Sequence, residues 1–168
     1  IGCLKQYYYV GGMPEAVEAF VSSRDLQTVR AIQKKILQAY EQDFSKHVPA
    51  NVVSKLRMVW NSIPAQLAKE NRKFIYGLLR SGARAREYEL ALTWLCDYGA
   101  AFRVHRVSKP ALPLKAYEDL SAFKLFLLDV GLLAALSGLD AKSILDGNDI
   151  FSEFKGALTE QYVFGELR

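Results

Sequence analysis

The chain has 168 residues, of which 51% are hydrophobic, and a net charge of +4 with a pI near 9.0. This composition is typical of a folded chain with one sizeable core or two small domains, and it excludes an intrinsically disordered segment. The most apolar stretch, residues 125–138, is too short to span a bilayer and contains Asp129. Neither Cys3 nor Cys96 has a CxxC partner, which argues against a zinc site or a disulfide framework and favours a reducing, cytoplasmic location.

The first third of the chain predicts two helices. Pro14, at a first-turn position, begins a helix that reaches about Ser22, and its apolar residues Val17, Phe20 and Val21 are expected to be buried. A second helix is predicted over residues 25–44, with Asp25 as its N-cap and apolar residues at a spacing of three to four. Residues 46–49 end this helix and mark the first domain boundary.

The next segment predicts a helical pair. Asn51 is expected to cap a helix whose buried stripe comprises Val52, Leu56, Val59 and Trp60. Ser62 is expected to cap a second, short helix over residues 63–69, with Pro64 in its first turn.

The next stretch predicts the order of secondary-structure elements found in a winged helix. Residues 84–98 predict an amphipathic helix that buries Tyr88, Leu92 and Leu95, and Gly99 provides a left-handed stop. Residues 102–107 predict a strand that alternates apolar and basic side chains, so that Arg103, His105 and Arg106 face solvent. Residues 109–113 form the wing, and residues 124–128 form the return strand. Asp129 is expected to cap a helix that ends near Gly138, and a last helix begins at about Asp149.

The predicted fold is therefore mainly α: a helical segment, a winged-helix domain (a helix-turn-helix with two or three short strands) and a C-terminal helix. The predicted boundaries are residues 1–46 for the helical segment, 47–140 for the winged helix and 141–168 for the C-terminal part.

Positive charge is concentrated in the winged-helix pattern. Residues 69–109 contain nine Lys and Arg against four acids, an excess of five. If the 84–98 helix and the wing contact double-stranded DNA, the basic residues would bind phosphates or enter a groove. The predicted contact residues are Lys69, Arg72, Lys73, Arg84, Arg86, Arg103, Arg106 and Lys109.

Motifs of common catalytic sites are absent from the sequence. There is no phosphate-binding P-loop, dinucleotide-binding glycine turn, nucleophile elbow, zinc-protease motif or EF-hand loop, so we do not expect enzymatic activity from this chain. His47 and His105 lack neighbours at metal-binding spacing. Glu160 is an isolated acid on the last helix, and one carboxylate does not make a metal site.

Four motifs in this order closely resemble a prokaryotic family of predicted AAA-superfamily ATPases of unknown function. They lie at residues 9–15, 62–89, 123–133 and 154–163. The resemblance implies that an ATPase domain, which would bind ATP and Mg²⁺, precedes the Gly11-Gly12 segment of a helical lid. It also implies that residues 156–160 begin a restriction-endonuclease-like domain in which Glu160 would be the acid of the first helix. The chain opens on Ile1 and closes on Arg168 within a helical pattern, so we expect a C-terminal fragment that lacks the other nuclease residues.

Two hypotheses for function remain open. In the first, the chain is a DNA-binding or regulatory winged helix. In the second, it is an interaction module that packs against the ATPase domain or a second subunit of a homo-oligomer. Leu112 and Leu114 in the wing favour the second hypothesis, whereas Arg84 and Arg86 at the helix start favour the first.

Overall fold

The computed structural model describes residues 2–68, 73–147 and 149–168, and these residues form a mainly helical fold with one small antiparallel sheet. The helices are α1 (Gly2–Val10), α2 (Pro14–Ser23), α3 (Leu26–His47), α4 (Ala50–Ala68), α5 (Ala85–Asp97), α6 (Val130–Leu136) and α7 (Asp149–Leu167). The strands are β1 (Ala101–Val107) and β2 (Glu118–Leu127). Short turns of 3₁₀-helix lie at Tyr76–Leu78 and Leu114–Tyr117, and a π-helical turn lies at Ser143–Gly147.

The predicted helix ends are largely confirmed. The Asp25 carboxylate accepts a hydrogen bond from the Gln27 backbone N–H at 2.9 Å and so caps α3. Asp129 caps α6 in the same way through Leu132. Gly99 and Gly138 follow α5 and α6 with positive φ angles of 73° and 75°, as expected for left-handed helix stops.

The prediction of two helices between residues 51 and 69 was wrong. One continuous helix, α4, runs from Ala50 to Ala68 with Pro64 inside it. Ser62 does not cap a helix, because its hydroxyl donates to the Val59 carbonyl at 2.8 Å. Ile63 and Leu67 are buried and continue the apolar stripe on the same side, so tertiary burial outweighs the cost of an interior proline. Asn51 lies within the first turn of α4 and not at a cap.

Helix α2 buries a different face from the predicted one. Ala16 is fully buried, whereas Val17 and Val21 are exposed. Phe20 is partly buried against the core, as predicted. The face with Ala16 and Phe20 is the one that meets the core, so two of the three predicted contacts were assigned to the wrong side.

The sheet has two strands whose register sets the orientation of the basic residues. Ala101 lies opposite Leu127, and His105 lies opposite Phe123. The register then shifts, so that Arg106 lies opposite Asp119 and residues 120–122 bulge out of the ladder.

The predicted alternation of β1 was only partly correct: Phe102 is half-buried and Arg106 is exposed, as expected, but the other four residues differ from the prediction. Alternate residues share a face, so Arg103 and His105 lie on the same side as buried Ala101 and are half-buried. Val104 and Val107 are exposed instead. The helix α5 behaves as predicted and buries Tyr88, Leu92 and Leu95.

The core is centred on α6, in which every residue from Val130 to Ala135 is buried. Helices α1, α3 and α7 pack around α6, and α5 packs on α4 and β1. Phe151, Phe154 and Leu158 bury the predicted face of α7. Among the described helices, none is long and apolar enough to cross a membrane.

Candidate functional site

The N-terminal end of α5 carries two of the predicted contact residues in an accessible position. Arg84 occupies the N-cap position with extended backbone (φ −114°), and its side chain makes no capping hydrogen bond. Arg84, Arg86 and Lys73 are exposed, and none forms an ion pair with a described residue. Lys69 and Arg72 lie outside the described residues. Arg84 and Arg86 are therefore accessible cations at the start of α5.

The cations of β1 are neutralised within the domain. Arg103 donates to the Glu89 carboxylate of α5 at 2.8 Å, and its guanidinium lies 4.8 Å from the centre of the Phe123 ring. Arg106 donates to Asp119 of β2 at 2.5 Å. Each of the two side chains thus has a carboxylate partner within the chain, and the role of Arg103 and Arg106 in binding phosphates stays a prediction.

Ion pairs also form around α5 itself. Arg80 pairs with Glu87 at 3.1 Å. Glu89, which pairs with Arg103, lies on the same helix. Glu87 and Glu89, which the excess of five already subtracts, each thus hold one cation of the basic stretch.

The wing is apolar at its tip. Leu112 is 87% exposed, Leu114 is 51% exposed and Leu120, in the bulge of β2, is 72% exposed. Lys109 is exposed beside them, with its ammonium 5.9 Å from the centre of the Tyr117 ring. The wing therefore leaves two leucine side chains open to solvent.

An open groove of about 1260 Å³ lies between the sheet and α7. We call it the sheet–α7 groove. The sheet contributes its second face, opposite α5, and the last residues of α4 close one side. Its apolar lining includes Leu67, Val104, Phe126, Val163, Phe164 and Leu167. Val104, Val163 and Leu167 are exposed to solvent within it, so the groove is an accessible apolar surface.

Glu160 lies in the groove as the partner of Lys124. The Lys124 ammonium lies 2.7 and 2.6 Å from the two carboxylate oxygens. The described residues include no group of three or more His, Cys, Asp and Glu side chains that could hold a metal. The interaction seen for Glu160 is therefore an ion pair that links β2 to α7.

A buried polar junction connects two of the motifs that carried the family resemblance. The Gly12 backbone N–H donates to Asp129 Oδ2 at 2.6 Å, across 117 positions of sequence. Gln33 of α3 donates to the carbonyls of Tyr9 and Val10 at 2.7 and 2.9 Å. These bonds satisfy the C-terminal carbonyls of α1 and hold it against the start of α6.

Arg30 extends this junction to the far end of α6. Its guanidinium donates to the Leu139 carbonyl at 2.9 Å and to Gln33 Oε1 at 2.8 Å, and it lies 4.1 Å from the centre of the Tyr9 ring. Burial lowers the pKa of Arg30 and raises the pKa of Asp129, although backbone N–H donors act in the opposite direction on Asp129.

Sequence reasoning missed Gln33 and Gln161. The Gln161 side-chain amide accepts from the Leu127 N–H at 2.9 Å and donates to the Leu127 carbonyl at 2.7 Å, so it replaces a neighbouring strand at the edge of β2. Both glutamines are at most 1% exposed. Their position beside the apolar stripes of α3 and α7 was the available signal, but the sequence does not identify the backbone groups that they bind.

Cys96 is partly buried on α5, as its position near the apolar side of the helix predicts. Burial raises the pKa of its thiol. This disfavours the thiolate form and hence a role as a nucleophile.

The chain has no match among the curated proteins or the solved structures that were compared with it. A family model described as a domain of unknown function, DUF8612, matches residues 2–143. This range includes the α1–α6 junction, α5 and the wing, and it ends before α7. Because the match covers well over half of the sequence, the chain belongs to the DUF8612 family, whose function is not known.

Proposed function

We propose that this chain is a winged-helix module that binds protein, and that its partner is the ATPase domain of a predicted AAA-superfamily parent. The order of α4, α5, β1, the wing and β2 supports the winged-helix assignment. The Phe74 N–H donates to the Phe123 carbonyl at 2.7 Å, which holds the segment before α5 against β2.

The proposal depends on one contrast: the cations of β1 have carboxylate partners, whereas apolar side chains are exposed in the wing and in the groove. Arg103 and Arg106, on the strand expected to contact phosphates, are paired with acids of the same domain. The wing leucines and the sheet–α7 groove are exposed apolar surfaces. Burial of apolar area contributes about 25 cal/mol per Å², so these surfaces favour association with another protein.

The proposed parent rests on the sequence resemblance. The motif at residues 9–15 and the motif at residues 123–133 meet in the buried junction of Gly12 and Asp129, which supports treating them as parts of one unit. ATP and Mg²⁺ would bind to the ATPase domain of the parent and not to this chain. In the same proposal, Glu160 has a structural role, and the nuclease-like assignment of residues 156–160 stays a hypothesis.

Calorimetric titration of this chain with the separately produced ATPase domain tests the proposal. We expect saturable binding with a negative heat-capacity change, because apolar surface is buried. Replacing Leu112 and Leu114 by Ser should weaken binding, whereas replacing Leu90, which is exposed on α5, by Ser should not. Absence of binding, or binding that is unchanged by the wing substitutions, would contradict a protein contact through the wing.

Binding of double-stranded DNA is the second candidate function. It is favoured by Arg84, Arg86 and Lys73, which are exposed and have no ion pair with a described residue. A DNA contact centred on three cations should be weak, and its affinity should fall with salt with a slope near −0.9 for each phosphate neutralised.

Fluorescence anisotropy of a labelled duplex, repeated at several salt concentrations, tests this second candidate. If DNA is the ligand, the Arg84→Ala/Arg86→Ala double variant should bind less tightly and show a smaller salt slope. The matched control is Arg103→Ala, which removes a cation that is already paired with Glu89. Equal losses in both variants would indicate a nonspecific charge effect.

A further inference from the structure

The wing and its base, residues 106–121, are not held in place by the hydrophobic core. The structure describes all of these residues, and none of their side chains is buried. On β2 the first buried residue is Ala122, at the end of the bulge. Packing therefore does not fix the direction in which the wing leaves the sheet, so the polar contacts at its base decide that direction.

Asp119 makes the polar contacts at this base. Its Oδ2 atom accepts a hydrogen bond from the Arg106 guanidinium of β1 at 2.5 Å. Its Oδ1 atom accepts from the backbone N–H and the hydroxyl of Ser121, at 3.0 and 2.6 Å. The first contact joins the two strands at the first pair beyond the bulge, and the second closes a turn around Leu120. One carboxylate thus ties both strands of the wing to the bend at its base.

The contacts of Asp119 favour its ionised form. Hydrogen bonds from Ser121 and Arg106 hold the pKa of Asp119 below its ordinary value. The Arg106 side chain is 55% exposed, and an ion pair this open to solvent contributes little to the stability of the whole fold. We therefore expect Asp119 to act on a local equilibrium, the direction of the wing, and not on global unfolding.

The wing itself is internally bonded and can turn as one piece. The Ser108 N–H and hydroxyl both donate to the Tyr117 carbonyl, at 2.8 and 3.0 Å, and close the loop between the strands. The Ala116 N–H donates to the Pro113 carbonyl at 3.0 Å within the 3₁₀ turn. A change of angle at the bulge would therefore displace the wing leucines together.

We propose that Asp119 is a positioning residue for the wing: by holding Arg106 and Ser121, it fixes the direction in which Leu112 and Leu114 are presented to a protein partner. This inference rests on the proposed protein contact through the wing and adds the residue that prepares the surface for it. A surface that is already held in its binding direction avoids the cost of ordering on association.

Double electron–electron resonance on the free chain measures the direction of the wing. Spin labels at Leu114→Cys in the wing and Leu90→Cys on α5, both exposed positions, report the distance between the wing and the body of the fold. The native Cys3 and Cys96 are replaced by serine in every variant. We expect a narrow distance distribution in the otherwise unchanged chain and one at least about twice as wide in Asp119→Ala.

Two further variants separate positioning from a general loss of charge. Arg106→Ala removes the other partner of the ion pair and should also widen the distribution, but less, because the hydrogen bonds from Ser121 to Asp119 remain. Glu89→Ala is the matched control, because it breaks the ion pair of Arg103, the second paired cation of β1, from the side of α5. Thermal denaturation shows that each variant is folded. A distribution that stays narrow in Asp119→Ala or Arg106→Ala, or that widens equally in Glu89→Ala, would overturn the inference.

Calorimetric titration with the ATPase domain tests the consequence for binding. Asp119→Ala keeps Leu112 and Leu114, yet it should bind about tenfold more weakly if its wing occupies the binding direction for about a tenth of the time. Glu89→Ala should bind like the wild type. Wild-type affinity in Asp119→Ala would overturn the positioning role even if the distance distribution widens. If the wild-type chain does not bind the ATPase domain at all, the proposed function fails, and the distance distributions alone support or overturn the control of the wing by Asp119.

Discussion

Gln33 stands at the centre of the buried junction and makes three hydrogen bonds there, to Tyr9, Val10 and Arg30. A buried carbonyl that loses its donor costs about 1–3 kcal/mol. Gln33→Met keeps the size of the side chain but removes the amide. We expect it to lower the free energy of unfolding by about 2–4 kcal/mol in chemical denaturation, because two carbonyls lose their donor.

Gln38 offers a matched control on the same helix, since its side chain is exposed. Gln38→Met should change the free energy of unfolding by no more than about 0.5 kcal/mol. Similar losses at both positions would mean that the Gln33 hydrogen bonds do not stabilise the junction.

The buried carboxyl group of Asp129 predicts that the stability of the fold depends on pH. Burial raises its pKa in the folded protein above the unfolded value of about 3.9, despite the backbone N–H groups that donate to it. A group with a raised folded pKa contributes most stability below its unfolded pKa, and that contribution is lost as the pH rises through the folded pKa. The stability of the wild type relative to Asp129→Asn should therefore fall as the pH rises above about 4.

Chemical denaturation of the wild type and of Asp129→Asn at several pH values above about 4 measures the difference in their free energies of unfolding. The contributions of the other titrating groups cancel in this difference. A difference that grows in favour of the wild type with rising pH would contradict the prediction. It would show that the hydrogen bonds from Gly12 and Leu132 outweigh the burial of the Asp129 carboxylate.

At the scale of elements, alanine substitutions at two helical glycines should have opposite effects on the free energy of unfolding. A Cβ on Gly131 of α6 would lie 2.6 Å from the Val10 carbonyl oxygen and 2.7 Å from Gln33 Nε2, whereas a Cβ on Gly156 of α7 meets nothing within 4 Å. Gly131→Ala should lower the free energy of unfolding by about 1–3 kcal/mol through overpacking of α1 on α6. Gly156→Ala should raise it by about 0.5–1 kcal/mol through helix propensity.

Thermal or chemical denaturation of the two alanine variants, compared with the wild type, checks this pair. A stabilised Gly131→Ala protein would mean that α1 does not approach α6 as closely as described. A destabilised Gly156→Ala protein would mean that the groove beside α7 is filled.

Local sequence signals predicted the helix ends better than they predicted which face of an element is buried. Asp25, Asp129 and Gly99 act through groups within a few residues, so the sequence contains what determines them. The face of β1 depends on its pairing with β2, and a shift of one position inverts it. Arg103 was therefore assigned to solvent although it lies on the side of the core.

Helix α4 shows a second limit of local reasoning. Ser62 and Pro64 together are a common start signal for a helix, and they predicted a break there. Burial of Ile63 and Leu67 against the core decides in favour of one continuous helix, and that contact depends on elements far away in the sequence.

At the scale of the whole molecule, the charge excess of residues 69–109 could be read from the sequence, but the partners of its cations could not. Arg106 pairs with Asp119, which lies outside that stretch, and Arg103 pairs with Glu89, an acid that the excess already subtracts. Surface ion pairs of this kind contribute little to stability, about 0–1 kcal/mol each. Each of these two pairs joins a cation of β1 to a carboxylate of a neighbouring element.

The candidate site was predictable only in part. The exposed wing residues Leu112 and Leu114 follow from the sequence pattern, and their exposure is confirmed. The sheet–α7 groove required the packing of α7 beside β1 and β2, which no local pattern indicates. The resemblance motifs identified Gly12 and Asp129 but did not show that they are in contact.

Hydroxyl-radical footprinting of this chain, alone and within the proposed full-length ATPase, distinguishes a protein contact through the wing from DNA binding through α5. We expect Leu112, Leu114 and Val163 to become less reactive in the full-length protein, because these exposed side chains would contact another protein surface. Leu90, which is exposed on α5, is the control and should keep its reactivity. Unchanged reactivity at the wing and groove, together with protection of Leu90 when duplex DNA is added, would rule out the protein contact and favour DNA binding through α5.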